Sequence, residues 1–160
     1  MEEKQEQPTL ADLLPPEVMS FGIEAEDWRS AIGKAGELLT ATGATTDDYT
    51  GQMIAAVEQY GPYIVIAPGF ALAHAQASES VVRTGLSWVQ LASPVEFGHK
   101  SNDPVRLVVG LASHSHEAHR NALQQLGALL NKPATLALLK DASSPAQLQS
   151  VLPLNDRNPS

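Results

Sequence analysis

His74 is the side chain of this sequence with the clearest capacity for chemistry, and its surroundings narrow what that chemistry is. It closes the run Gly61-Pro62-Tyr63-Ile64-Val65-Ile66-Ala67-Pro68-Gly69-Phe70-Ala71-Leu72-Ala73-His74-Ala75. No other side chain between Tyr63 and Glu79 titrates. An imidazole can take a phosphoryl group on a ring nitrogen, shuttle a proton or bind a metal. The plainer alternative is a half-buried ring that only satisfies a carbonyl, and local sequence leaves both open.

A second concentration of histidine is Ser113-His114-Ser115-His116-Glu117-Ala118-His119. It falls where a strand is expected to end and a helix to begin. Sites in α/β proteins gather at the carboxyl ends of strands. The free amides and positive dipole end of a helix N-terminus favour an anion there. His119 lies four residues before Leu123 and seven before Leu126, which predicts the inward stripe of the first turn. His116 can share that face, whereas His114 precedes the cap and is expected in solvent. A zinc site on these three histidines is an alternative. However, His116-Glu117-Ala118-His119 is one residue short of the helical pair used by metallohydrolases. His99, in a polar loop, is expected to be merely exposed. Neither a phosphate-cradling glycine pattern nor a serine nucleophile elbow is present.

These residues need elements to hold them. Tyr63–Ala67 is a short apolar run between Gly-Pro and Pro-Gly, which predicts a strand covered on both faces. Proline lacks an N–H and glycine accepts unusual dihedrals, so Pro68-Gly69 is expected to stop the ladder and open a loop of small residues before His74. Upstream, a short helix is expected at 9–14, a strand at 18–23, a helix capped by Asp27 reaching about Thr42, and another from Thr46 to Tyr60. Downstream, alternation predicts a strand over Val81–Leu91 with Val82, Leu86 and Trp88 inward. Residues 93–104 are turn-rich, and Val105–Ala112 reads as a central strand. Ser115 can cap a helix from His116 to Leu130, with Leu123, Leu126 and Leu130 inward. Shorter helices follow from Pro133 and Pro145. The pattern is α/β, with a mixed β-sheet of about five strands sandwiched between helices. Residues 1–8 are expected to be disordered, 9–152 to form a single domain, and 153–160 to fray.

Composition sets outer limits. The chain has 160 residues, 43 % hydrophobic and 18 % charged, enough for one real core. Its net charge of −8 argues against nucleic acid as a partner. Without cysteine there is no thiolate nucleophile or cysteine-based metal site. The polar N-terminus is unlike a secretory signal, and no stretch reads as a membrane helix, so a soluble intracellular protein is expected.

Four segments together resemble a known family. They are Asp27-Trp28 with Ala35-Gly36-Glu37-Leu38-Leu39; Thr46-Asp47-Asp48-Tyr49; Gly61 to Gly69 running on to His74-Ala75; and Val95-Glu96-Phe97-Gly98-His99 with Asn102 to Val108. The sequence resembles the EIIA component of the bacterial sugar phosphotransferase system (PTS), of the mannitol/fructose type (EIIA type-2), and within it the ascorbate-specific branch. The resemblance implies a mixed sheet sandwiched by helices and a cytoplasmic phosphotransferase component. It implies that His74 is phosphorylated by the phosphocarrier HPr and passes the group to a cysteine of an EIIB. It also implies that His119 holds the phosphoryl oxygens and that neither metal nor cofactor is needed. Phe70 and Leu72 would suit an apolar docking rim or the core. The membrane component EIIC would be reached only indirectly, and a homodimer stays open.

The branch typically reads Leu-Pro-His-Ala-Arg-Pro-Glu around the histidine. Here the run is Leu72-Ala73-His74-Ala75-Gln76-Ala77-Ser78-Glu79, without the proline and the arginine. Arg83 or Arg120 are candidates to replace the missing cation. The departure also keeps a regulatory binding module in view, one that controls a partner protein through its phosphorylation state.

Overall fold

The computed structural model describes residues 9–76 and 78–152. The expectations for 1–8 and 153–160 lie outside the described residues. A five-stranded mixed sheet runs in the order β1-β4-β5-β3-β2. Its strands are β1 (Met19–Ile23), β2 (Val65–Ala67), β3 (Phe70–Ala73), β4 (Gly85–Val95) and β5 (Val105–Ala112). The β1–β4 and β3–β5 pairs are parallel, while β4–β5 and β2–β3 are antiparallel. The expected mixed α/β sheet is therefore present.

Helices cover both faces. On one side α1 (Leu10–Leu13), α4 (His116–Leu130), α5 (Pro133–Asp141) and α6 (Pro145–Val151) pack with Phe70, Leu72, Leu86, Trp88, Leu107, Val109 and Leu111. On the other, α2 (Trp28–Ala41) and α3 (Asp47–Tyr60) pack with Ala71, Ala73, Val89, Val108 and Ala112. The period-2 alternation of strand side chains sends Leu107, Val109 and Leu111 to the first core and Val108 and Ala112 to the second. The helices start where side chains can cap them. Asp27 accepts the Ser30 amide at 2.9 Å and Ser115 accepts the Ala118 amide at 3.1 Å. Helices α2 and α3 cross so closely at Gly36 that an added Cβ would lie 2.0 Å from Thr50 Oγ1.

Two expectations around the first histidine change. The run ending at Ala67 is an edge strand rather than one covered on both faces: Ile66 is 45 % and Tyr63 42 % exposed. The covered strand is β3, where a loop was expected. Its four residues are all buried, between β2 and β5. Alanine has weak strand preference, so Phe70-Ala71-Leu72-Ala73 does not read as a strand alone. Pro68-Gly69 is the turn between the two, with Gly69 at φ +74°. Phe70 and Leu72 belong to the core, not to a surface rim. Burying each contributes roughly 1.5–3 kcal/mol.

Elsewhere β4 begins at Gly85 and runs to Val95, so its last residues come from the expected loop, and Val82 is exposed. In α4 the inward stripe is Ala122, Leu126 and Leu129, whereas Leu123 is exposed.

Candidate functional site

The parallel pairing of β3 and β5 brings the two histidine regions together. Ala73 lies opposite Gly110, so both strands point their carboxyl ends the same way. His74 follows the last residue of β3, Ser113 follows the last residue of β5, and α4 starts three residues further on. The His74 and His119 rings meet with centroids 5.4 Å apart. Both side chains are partly exposed.

His74 Nδ1 lies 2.8 Å from the Leu72 carbonyl oxygen. A carbonyl only accepts, so Nδ1 carries the proton, and in the neutral ring Nε2 keeps its lone pair. Tyr63 and His74 pack edge to face, at 5.6 Å between centroids and 83° between planes. Tyr60 packs on Tyr63 in turn. Burial, with Tyr60 beside it, raises the Tyr63 pKa, so its hydroxyl stays neutral at ordinary pH. Tyr60 and Tyr63, both exposed, leave an apolar surface beside His74.

His119 sits in the first turn of α4, on the stripe continued by Ala122 and Leu126. Its Nδ1 is 3.2 Å from Ser113 Oγ. Burial lowers its pKa below the usual histidine value, and His74 and His116 lower it further. It is therefore neutral at pH 7. In the tautomer in which Ser113 donates to Nδ1, Nε2–H is free to donate; in the other, Nδ1–H donates to Ser113 Oγ. The α4 amides and dipole add a favourable potential for an anion beside it.

The remaining candidates are spread out. His114 and His116 are exposed. The His114 amide donates to Thr84 Oγ1 at 3.0 Å. Among the described residues no group of three or more histidines and carboxylates could hold a metal ion. His99 is half-buried rather than merely exposed, because its Nδ1 accepts the Ser101 and Asn102 amides. The Arg83 guanidinium donates to the Thr42 carbonyl at the end of α2. It lines a cleft of about 350 Å³ with Asp12 and Glu17, a cleft that neither His74 nor His119 lines. Arg120 is exposed in the first turns of α4, and Gln76 is exposed after His74.

Three side chains around the pair carried no signal of their own: Tyr63, Ser113 and Tyr49. The Tyr49 ring is fully buried. Its hydroxyl accepts the Ala75 amide at 3.0 Å and lies 2.8 Å from the Leu111 carbonyl oxygen.

The comparisons place this chain, by sequence and by fold, in a known class. Residues 12–153 match the family described as phosphoenolpyruvate-dependent sugar phosphotransferase system, EIIA 2, and the chain belongs to that family. It is thus a component of a sugar phosphotransferase system.

The chain is 36 % identical over 135 residues to the ascorbate-specific PTS system EIIA component of Salmonella typhimurium, covering 84 % of this chain and 86 % of that protein. Its fold is similar to the cryptic mannitol-specific phosphotransferase enzyme IIA of Escherichia coli. There the TM-score is 0.80 at 30 % identity, over 90 % of this chain and 97 % of that one. It is also similar to enzyme IIAMTL of Escherichia coli, solved in complex with phosphorylated enzyme IIBMTL. That match has a TM-score of 0.77 at 26 % identity, over 86 % of this chain and 95 % of that one. Among the described residues no helix is long and apolar enough to cross a membrane.

Proposed function

We propose that this chain carries a phosphoryl group on Nε2 of His74, taken from phospho-HPr and delivered to a cysteine of an EIIB protein. The observation that carries the reading is the bond between His74 Nδ1 and the Leu72 carbonyl at 2.8 Å. It commits the proton to Nδ1 and makes Nε2 the nucleophile.

In the first step the Nε2 lone pair forms an N–P bond while the donor's N–P bond breaks and its electron pair returns to the donor imidazole. In the second, the EIIB thiolate forms an S–P bond, the Nε2–P bond breaks, and its electrons return to His74. Each step needs mainly alignment and stabilisation of charge on the phosphoryl oxygens. His119 is suited to hold them through Nε2–H, aided by the first amides of α4. Gln76, where the branch has arginine, offers a neutral donor in place of a cation.

The apolar surface of Tyr60 and Tyr63 suits protein partners docking beside His74. Ascorbate, or a related sugar or polyol, is the substrate class favoured by likeness to the ascorbate-specific relative. Such a relay operates in the cytoplasm, with EIIC reached only through EIIB.

The test is to incubate the protein with phosphoenolpyruvate, enzyme I and HPr and map acid-labile phosphate. The expected result is one label, on His74, absent in His74→Ala. A wild-type chain that stays unlabelled while a control EIIA is labelled overturns the reading.

A further inference from the structure

The Tyr49 hydroxyl sits where the sheet gives out. The β3–β5 ladder reaches Ala73 opposite Gly110 and goes no further. Beyond it the two chains diverge, one into His74 and Ala75, the other through Ala112 into Ser113 and α4. Tyr49 rises from the first turn of α3 and places its hydroxyl in that gap. The oxygen accepts the Ala75 N–H at 3.0 Å. As a donor it has two acceptors in reach, the nearer being the Leu111 carbonyl at 2.8 Å and the other that of Ala75 at 3.1 Å. Donation to the nearer gives a continuous chain from the Ala75 amide through the hydroxyl to Leu111, which replaces the missing rung of the ladder.

Ala75 is the residue after His74, and Leu111 lies two before Ser113, whose Oγ meets the His119 ring. One buried oxygen thus ties together the backbones from which both imidazoles are held.

We propose that Tyr49 is a positioning residue: by bridging Ala75 to Leu111 its hydroxyl sets the separation and orientation of His74 and His119. This rests on the phosphoryl-relay reading for its kinetic consequence, but the bridge and its effect on the two rings do not. The hydroxyl is kept in the form the bridge needs, since burial raises its pKa to about 12. The ring is wholly buried and touches no partner surface, so its influence is on alignment and not on docking.

Tyr49→Phe keeps the ring in the core and removes only the bridge. The saturated rate of His74 phosphorylation by phospho-HPr is expected to fall about 10- to 100-fold, the order that an ångström of misplacement costs. The KM for phospho-HPr is expected to stay unchanged. Met53→Ala, a cavity variant in the same helix and core, is the control. It should lower the Tm without changing the rate at a temperature where both variants are folded. Imidazole ¹⁵N spectra of the unphosphorylated proteins give a readout independent of transfer. Tyr49→Phe should shift the His74 and His119 signals, and Met53→Ala should leave them in place. In the wild-type protein, hydrogen exchange should find the Ala75 amide protected far beyond that of Gln76. An unprotected Ala75 amide, unshifted imidazoles, or a Tyr49→Phe rate equal to wild type would overturn the proposal. If wild type shows the protected amide and the variant shows the shifts, yet neither protein accepts phosphate, the relay reading fails and the bridge stands.

Discussion

The two ends of the β3–β5 pair each lie beside a histidine, and they use it in opposite ways. Before β5, His99 Nδ1 accepts the amides of Ser101 and Asn102 at 3.1 and 3.0 Å. Beside it one Asp103 oxygen accepts the amides of Phe97, Gly98 and His99. After β3, His74 Nδ1 donates to the Leu72 carbonyl. In its neutral form the first ring therefore carries its proton on Nε2, and the second carries it on Nδ1. Only the second has a lone pair on the nitrogen that backbone does not occupy. The same residue type is thus a turn-building acceptor at one end of the pair and a candidate nucleophile at the other. The backbone partner of Nδ1 decides which.

The largest effect that could break this contrast is on phosphate labelling. His74→Ala is expected to lose all of it, and His99→Ala to keep it while lowering the Tm. A label retained by His74→Ala, or lost in a folded His99→Ala, would mean that the Nδ1 partner does not mark the nucleophile.

Next comes His119→Ala. It should leave His74 able to be labelled but slow transfer by about 10²-fold, the usual cost of removing one donor to a developing charge. Stopped transfer assays to the cognate EIIB would measure it, and an unchanged rate would assign the oxygens to other donors.

At the opposite end of the pair the expected effect is on stability alone. Asp103→Ala strips three amides of their acceptor and should cost about 1–3 kcal/mol in urea unfolding. Its rate of phosphoryl transfer should match wild type, and a fall in rate without unfolding would show that the two ends are coupled.

Why one end was easier to read than the other follows from how each is built. His119 was placed on the inward stripe of α4 by spacing alone, because helical periodicity and the Ser115 cap are local signals. The same periodicity put Leu123 inward in place of Ala122, since a small alanine carries less apolar weight than the exposed leucine beside it. His74 could be singled out, but its strand could not. The run Phe70-Ala71-Leu72-Ala73 is strand only because β5 and β2 flank it, a contact set by tertiary pairing rather than by preference. The bridging role of Tyr49 was hidden for the same reason: its hydroxyl's partners lie far away in sequence, 62 residues in the case of Leu111. The missing arginine after His74 was visible, whereas the use of Arg83 to close α2 was not.

The smallest expected effect concerns protons. His119 has its pKa lowered in the folded protein, first by burial and then by His74 and His116. In the unfolded chain it should titrate near the ordinary value, about 6.5. Between the folded pKa and that value the unfolded chain binds more protons, so stability rises with pH across the window and is lost as pH falls through it. Replacing His119 by alanine removes this contribution and should flatten the urea-unfolding profile just below pH 6.5, relative to wild type. Phosphorylating His74 should act in the opposite direction. A dianion beside the ring favours imidazolium, so the His119 titration, followed by NMR, should move upward in the phosphorylated protein. A His119 signal that titrates identically before and after labelling would separate the two rings electrostatically, and with them the idea that one steadies the group held by the other.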